Sequence, residues 1–206
     1  MKLIKDEKQL RIPVEPRKYT EFEIDEIATV LEAELEKRKG FGLSSNQLGM
    51  KERICYINVI QPMVLVNPKI IEQSEKRVVY IEQCLSLDKT MKKPVKTVRY
   101  RSITIECDNL GTVVFSPDID ENQQWKDSDE FFNDKGLLEC VCAQHEIDHL
   151  NGKLITDKDR RYSETVIAPM KYGRNDKVMI KLPNGDTEFM KYKKALPLLD
   201  HGCEIL

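Results

Sequence analysis

The sequence predicts an α+β fold in which short antiparallel β-sheets surround one central helix that carries metal-ligand side chains. Three observations lead there. Short apolar segments, each closed by a turn signal, fill the middle of the chain; an amphipathic helix precedes them; and a second helix, ending in two histidines four residues apart, follows them.

Taken in order, the first element spans Glu23 to Arg38, where Ile24, Ile27, Ala28, Leu31 and Leu35 recur at helical spacing and Gly40 and Gly42 end the run. Strands are expected at Arg53–Val59, Val64–Ile71, Lys76–Tyr80, Val95–Arg99, Ser102–Cys107 and Thr112–Phe115. They are punctuated by Asn67-Pro68, Asn109–Gly111 and Ser116-Pro117. Residues 117–135 are rich in acid (Asp118, Asp120, Glu121, Asp127, Asp129, Glu130, Asp134) yet hold Trp125, Phe131 and Phe132. This reads as a surface excursion pinned by its aromatics, with partner binding as the alternative. The histidine helix runs from about Gly136 to Leu150, with Asn151-Gly152 closing it. Beyond it, Lys177–Leu182 and Thr187–Lys191 flank Pro183-Asn184-Gly185-Asp186 and read as a hairpin. Lys171, Arg174, Lys177, Lys181, Lys191, Lys193 and Lys194 make this tail basic, either as a solvated face or as a contact for RNA or the ribosome.

A chain of 206 residues suits one domain with a real core. We read residues 1–155 as a catalytic domain and 156–206 as a C-terminal extension packed on the same domain. Lys and Arg total 33 against 35 Asp and Glu, a net charge of -2 that gives no global attraction to DNA, RNA or an acidic membrane surface. No apolar leader follows Met1 and no run approaches membrane-spanning length, so the expected compartment is the cytoplasm. The six cysteines form neither a CxxC knuckle nor a dense secreted-type pattern, and most read as reduced, buried hydrophobes.

The chemistry starts at Gln144-His145-Glu146-Ile147-Asp148-His149-Leu150. Four residues is a little over one helical turn, so both imidazoles face the same way and can close on one metal ion with Glu146 beside them. The chain has only three histidines, and chance would put a pair four apart about 3% of the time, before the glutamate is required. Leu138, Val141 and Cys142 precede the pair on the same stripe, so the rings face the core rather than solvent. Catalytic sites of this kind use three protein ligands plus water. The candidates for the third are Asp148, other acidic residues and the cysteines. Cys84 follows a strand and precedes a basic segment near Lys89 that would favour the thiolate, while taken alone it reads first as a buried hydrophobe. A third run, Lys39 to Gly49, has glycines that allow close approach to a ligand and a Gln47 whose amide could face a developing oxyanion. It lacks the Gly-Lys-Ser/Thr ending of a phosphate loop.

Together the runs Gly40-Phe41-Gly42-Leu43-Ser44-Ser45-Asn46-Gln47, Glu82-Gln83-Cys84-Leu85-Ser86 and Gln144–Leu150 resemble the three motifs of the peptide deformylase family, in the same order, over roughly residues 1–155. The resemblance implies hydrolysis of the formyl group of N-formylmethionyl nascent peptides, with release of formate. By residue-for-residue match it implies metal ligation by Cys84, His145 and His149, proton transfer by Glu146, and oxyanion donation by Gln47 and the Leu85 N–H. It implies substrate backbone pairing at Phe41, Gly42 and Gln83, and a methionine pocket formed by Gly40, Leu138, Val141, Cys142 and His145. The implied cofactor is one divalent cation, iron(II) in the cell, with zinc, nickel or cobalt in purified protein.

The sequence departs from the family pattern in three places. Ser44-Ser45 replaces two small alanines, a polar change in the wall. Gln83 stands where the family has glycine, which is harmless only if that backbone is not at positive φ. The tail after Gly152 does not match the long basic C-terminal helix of familiar bacterial forms, and fits instead the altered tails of forms carried by bacteriophages, whose compartment would be the host cytoplasm. The rival functions are an endopeptidase of the His-Glu-x-x-His type, which would need a third ligand downstream, where His201, Asp157, Asp159 and Glu164 lie, and a metal-stabilised binding module.

Overall fold

A computed structural model of the chain describes residues 1–120, 123–162, 177–182, 186–191, 194–195 and 204–205. Two compact units divide the chain, Met1–Tyr162 and Ser163–Leu206.

The first unit begins with a short helix, α1 (Glu7–Leu10), and the amphipathic α2 (Glu21–Glu36). α2 starts two residues before the apolar periodicity suggests. The cause is a capping box, in which the Thr20 hydroxyl accepts from the Glu23 N–H while the Glu23 carboxylate accepts from the Thr20 N–H. β1 (Gly42–Ser44) and a 3-10 turn (Ser45–Leu48) follow, then β2 (Ile54–Asn58), β3 (Pro62–Val66), β4 (Lys69–Gln73) and β5 (Arg77–Glu82). Val64–Ile71, expected as one strand, is two. Asn67 sits at φ 50° with Pro68 behind it, and this turn sends β3 and β4 into different sheets.

After α3 (Asp88–Lys92) come β6 (Val95–Tyr100), β7 (Ile103–Cys107) and β8 (Gly111–Phe115). The acidic excursion then contains α4 (Ser128–Asn133) and leads into α5 (Lys135–Leu150). The sheets run β1-β2-β3, β4-β7-β8 and β5-β6, every pairing antiparallel, as expected from strands in series.

Alternation along β2 explains the layering. Ile54 and Tyr56 pack with Ile27, Leu31 and Leu35 of α2, whereas Cys55 and Ile57 pack with Cys142, Ala143, Ile147 and Leu150 of α5. With both faces covered, the first sheet is held between the two helices. α5 is buried around nearly its whole circumference, taking β7 and β8 on one side through Ile103, Ile105 and Phe115, and β5 on another through Val78 and Tyr80.

Asp134 caps α5 by accepting from the Leu137 N–H at 2.7 Å, and its other oxygen accepts from the Trp125 indole at 2.9 Å. Trp125 also stacks edge-on with Phe131 and lies under Arg101, so the excursion is pinned by its aromatics. At Gly136 a Cβ would fall 2.4 Å from the Ser116 carbonyl, so the strand-to-helix crossing admits only glycine there.

In the second unit, β9 (Lys177–Lys181) pairs antiparallel with β10 (Thr187–Lys191) and with β11 (Glu204–Ile205). The expected hairpin is present; its Pro183-Asn184-Gly185 turn lies outside the described residues, as do Lys171, Arg174 and Lys193 of the basic tail. No helix among the described residues is long and apolar enough to cross a membrane.

Candidate metal centre

Cys84, His145 and His149 meet where the chain leaves β5 and passes the last two turns of α5. All three are buried, and one donor atom from each lies within 4.8 Å of the others. Helical spacing puts the two rings on one face with centroids 4.9 Å apart. The turn after β5 fixes the sulfur. The Cys84 N–H donates to the Thr90 hydroxyl at 3.0 Å, and the Cys84 carbonyl accepts from the Leu87 N–H at 3.0 Å. Asp148, one of the sequence candidates for the third ligand, is excluded from this group because its oxygens are taken by Arg99 and Arg160.

The donor set suits a divalent transition metal. A tetrahedral ion at ordinary bond lengths separates its sulfur and nitrogen donors by about 3.5 Å, and Cys84 Sγ stands 3.2 Å from His149 Nε2. Burial pushes the Cys84 thiol up, but the two imidazoles override it and hold the thiol well below its ordinary value, in favour of the ligating thiolate.

Behind the donors runs a buried ionic chain. His145 Nδ1 lies 2.8 Å from Glu82 Oε2, and an ionised carboxylate can only accept, so Nδ1 carries the proton and Nε2 is left as the donor atom facing Cys84. Glu82 receives two hydrogen bonds from Arg99, Arg99 donates to Asp148 at 2.5 Å, and Asp148 also takes Arg160 at 2.7 and 2.8 Å. Burial pushes Glu82 up, yet Arg99 and His145 hold it far below the usual carboxylate range. β6 places Arg99 two residues beyond Thr97, on the inward face opposite β5.

Glu146 is buried between β1 and the rings. Its Oε2 accepts from the Ser44 hydroxyl at 2.5 Å, and burial outweighs the two imidazoles and Ser44 to push the carboxyl above its ordinary value. Gln47 is buried with its orientation fixed. Its Oε1 accepts from the Ser44 N–H at 2.9 Å, so Nε2 is the end that faces Ser86 Oγ, at 3.1 Å, and Cys84 Sγ, at 3.9 Å. The Leu85 N–H has no protein acceptor among the described residues, while the Leu85 carbonyl accepts from Lys5 Nζ.

A cleft of about 650 Å³ opens onto these groups between the free edges of β1 and β5. Gly40, Phe41, Gly42, Gln83, Leu138, Val141 and Cys142, the residues expected to meet substrate, all line it, together with Gln47, Leu85, His145 and Glu146. Gln83 is not at positive φ; among the described non-glycine residues only Lys39 and Asn67 are. Its side chain folds back and donates to the Met91 carbonyl at 3.0 Å.

Sequence reasoning overlooked Tyr80 and Phe132 in the cleft wall, the Glu82–Arg99–Asp148–Arg160 chain, and the Ser44 contact. The available signals were Arg99 on the buried face of β6, where a cation requires an acid, and the hydroxyl in place of a small apolar residue at Ser44.

A family model described as polypeptide deformylase matches residues 3–164. The chain is 34% identical to the peptide deformylase of Rhizobium meliloti (strain 1021) over 125 residues, covering 57% of this chain and 60% of that protein. It is 29% identical to the peptide deformylase of Acinetobacter baumannii (strain SDF) over 182 residues, 84% of this chain and 93% of that one. Among solved structures, the PDF of the Vibrio parahaemolyticus bacteriophage VP16T, crystallised with actinonin, superposes with a TM-score of 0.60 at 25% identity, over 75% of this chain and 100% of that one. Because the family match takes in β5, α5 and every donor gathered at their junction, the chain belongs to the polypeptide deformylase family and is an enzyme of the metal-hydrolase type.

Proposed function

We propose that the protein hydrolyses the formamide of N-formylmethionyl nascent peptides, and that Cys84, His145 and His149 hold one divalent cation for the reaction. The observation that carries this reading is that the three donors meet beside one cleft, whose wall holds His145, Glu146 and Gln47. When bound, the cation supplies Lewis acidity, which makes a water proton acidic near neutral pH. Glu146 takes that proton as the water oxygen adds to the formyl carbon. It then gives a proton to the nitrogen as the C–N bond breaks, leaving formate and a free α-amine. A carboxyl raised by burial suits a group that must both accept and release a proton. The Gln47 amide and the Leu85 N–H stabilise the charge gathering on the formyl oxygen, worth about 3 kcal/mol each.

Phe41, Gly42 and Gln83 lie along the open edges of β1 and β5, where an extended peptide backbone can pair as an added strand. Gly40, Leu138, Val141, Cys142 and His145 form the wall for the methionine side chain. One thiolate and two imidazoles accommodate iron(II), which we assign to the cell, and equally zinc, nickel or cobalt, which we assign to purified protein. We also read the C-terminal unit as an altered tail of the bacteriophage kind, with a transient ribosome contact through its basic residues. The compartment is then the cytoplasm, or the host's cytoplasm if a phage carries the gene.

The test is formate release from formyl-Met-Ala-Ser beside an unformylated internal peptide, on protein prepared without oxygen and with its metal quantified. Formate from the first and no cleavage of the second is expected. Cleavage of the internal bond without formate would overturn the reading in favour of an endopeptidase. Against that rival, Asp157 is engaged by Arg11 and the Leu154 N–H, Asp159 pairs with Arg160, and His201 and Glu164 lie outside the described residues.

A further inference from the structure

Ser44 ends β1 and is fully buried, and it is not among the residues that line the cleft. Its hydroxyl is 2.5 Å from Glu146 Oε2 and 3.0 Å from the Glu146 carbonyl oxygen, across 102 residues of sequence. A hydroxyl has one proton to donate, and here both acceptors within reach belong to one residue. On the other side of the same carboxyl lies Gly42, where a Cβ would fall 2.7 Å from Oε1 and 2.9 Å from Cγ. The two ends of β1 therefore grip the Glu146 side chain. Ser44 holds one oxygen, and the bare backbone of cleft-lining Gly42 meets the other.

We propose that Ser44 is a positioning residue for Glu146, fixing Oε2 so that Oε1 is the oxygen that exchanges protons in the cleft. This rests on the proton-transfer role given to Glu146 above. A glutamate side chain has three torsions, and ordering it costs up to about 2 kcal/mol. Ser44 and Gly42 meet that cost when the chain folds rather than at each turnover. Misplacing a reacting group by about 1 Å can lower a rate by as much as about a hundredfold. Because Ser44 does not touch the cleft, its loss acts on kcat and leaves KM alone. The Ser44 N–H, which orients Gln47, survives replacement of the side chain by alanine or cysteine.

Ser44→Ala removes the hydroxyl and little else, and Ser44→Cys keeps a weaker donor in nearly the same volume. Ser45→Ala is the control, because the Ser45 hydroxyl bonds the Glu52 carbonyl and not Glu146. The expected result is a kcat for formate release that falls about tenfold in Ser44→Ala and less in Ser44→Cys, with KM and bound metal at wild-type levels and Ser45→Ala unaffected. An unchanged kcat in Ser44→Ala, or a kcat loss matched by loss of metal, overturns the proposal. A crystal structure of Ser44→Ala decides it independently of turnover. The Glu146 carboxyl should leave its place against Gly42, and a carboxyl found unmoved would count against Ser44. Absence of formate release from the wild type, by contrast, would defeat the reading of the reaction and leave the crystallographic test of Ser44 standing.

Discussion

Glu146 sits under opposed influences, burial raising its proton affinity and two neighbouring imidazoles lowering it, and burial prevails. Glu146→Gln keeps the shape and an acceptor for Ser44 but cannot carry the proton. It is expected to bind wild-type amounts of metal and to lose formate release by at least about a hundredfold, checked by metal analysis and turnover on one sample. Arg99 works differently. It is 2% exposed and lies between Glu82 and Asp148, so Arg99→Leu leaves two carboxylates without their shared partner. The expected cost is about 3–5 kcal/mol, read as a lower urea midpoint. Metal affinity should fall about 10–100-fold as well, since Glu82 then loses the partner that aims it at His145. At Gln47 the structure changes what alanine would report. Its Oε1 is the acceptor for the buried Ser44 N–H, so an alanine there disturbs both fold and chemistry, and Gln47→Glu, which keeps the acceptor, is the cleaner probe.

Elements with a long apolar period were legible from residues alone. α2, α5 and most of the strands fall within two residues of their expected limits, because burial of a periodic stripe fixes them locally. β1 was not legible. Gly42-Leu43-Ser44 is three residues long, and it is a strand only because β2 pairs with it. α1 is held from outside in a similar way. Arg11, at its end, makes two hydrogen bonds to Asp157 beyond α5, at 2.7 and 3.1 Å. Burial pushes the Asp157 carboxyl up, but Arg11 and the Leu154 N–H override it and hold it below its ordinary value. A depressed carboxylate stabilises the fold fully above its unfolded pKa, about 3.9, and that contribution disappears as pH falls through the lower folded value. The urea midpoints of wild type and Asp157→Asn should therefore differ by a constant amount from pH 8 to about 5 and converge below about pH 4. Arg11 is 41% exposed, so the gap corresponds to about 1 kcal/mol or less. A gap that persists in acid would assign the effect to packing.

At the scale of the molecule, the three donors tie the turn after β5, where Cys84 and Leu87 pack with Leu10 and Leu154, to the last turns of α5, where Ile147 and Leu150 belong to another cluster. A ligand that binds only the folded chain at about a thousand times its Kd adds about 4 kcal/mol. Chelation should then lower Tm on the order of 10 °C, and zinc should restore it. A Tm that ignores complete removal of the metal, measured by calorimetry with metal analysis, would show that the junction holds without it.

The sequence by itself determined the helix that presents His145 and His149, the antiparallel strand series and the three runs whose resemblance named the chemistry. Each is a local pattern, a spacing along one element, and needs no partner to be read. Only the tertiary structure decided that Asp148 stays out of the donor set, that Gln83 is free of backbone strain, and that Glu82 orients His145. It also decided that Ser44 reaches Glu146. These facts depend on which strand edge faces which helix face, a long-range outcome of packing both sides of β2 at once. No single segment of the chain contains it.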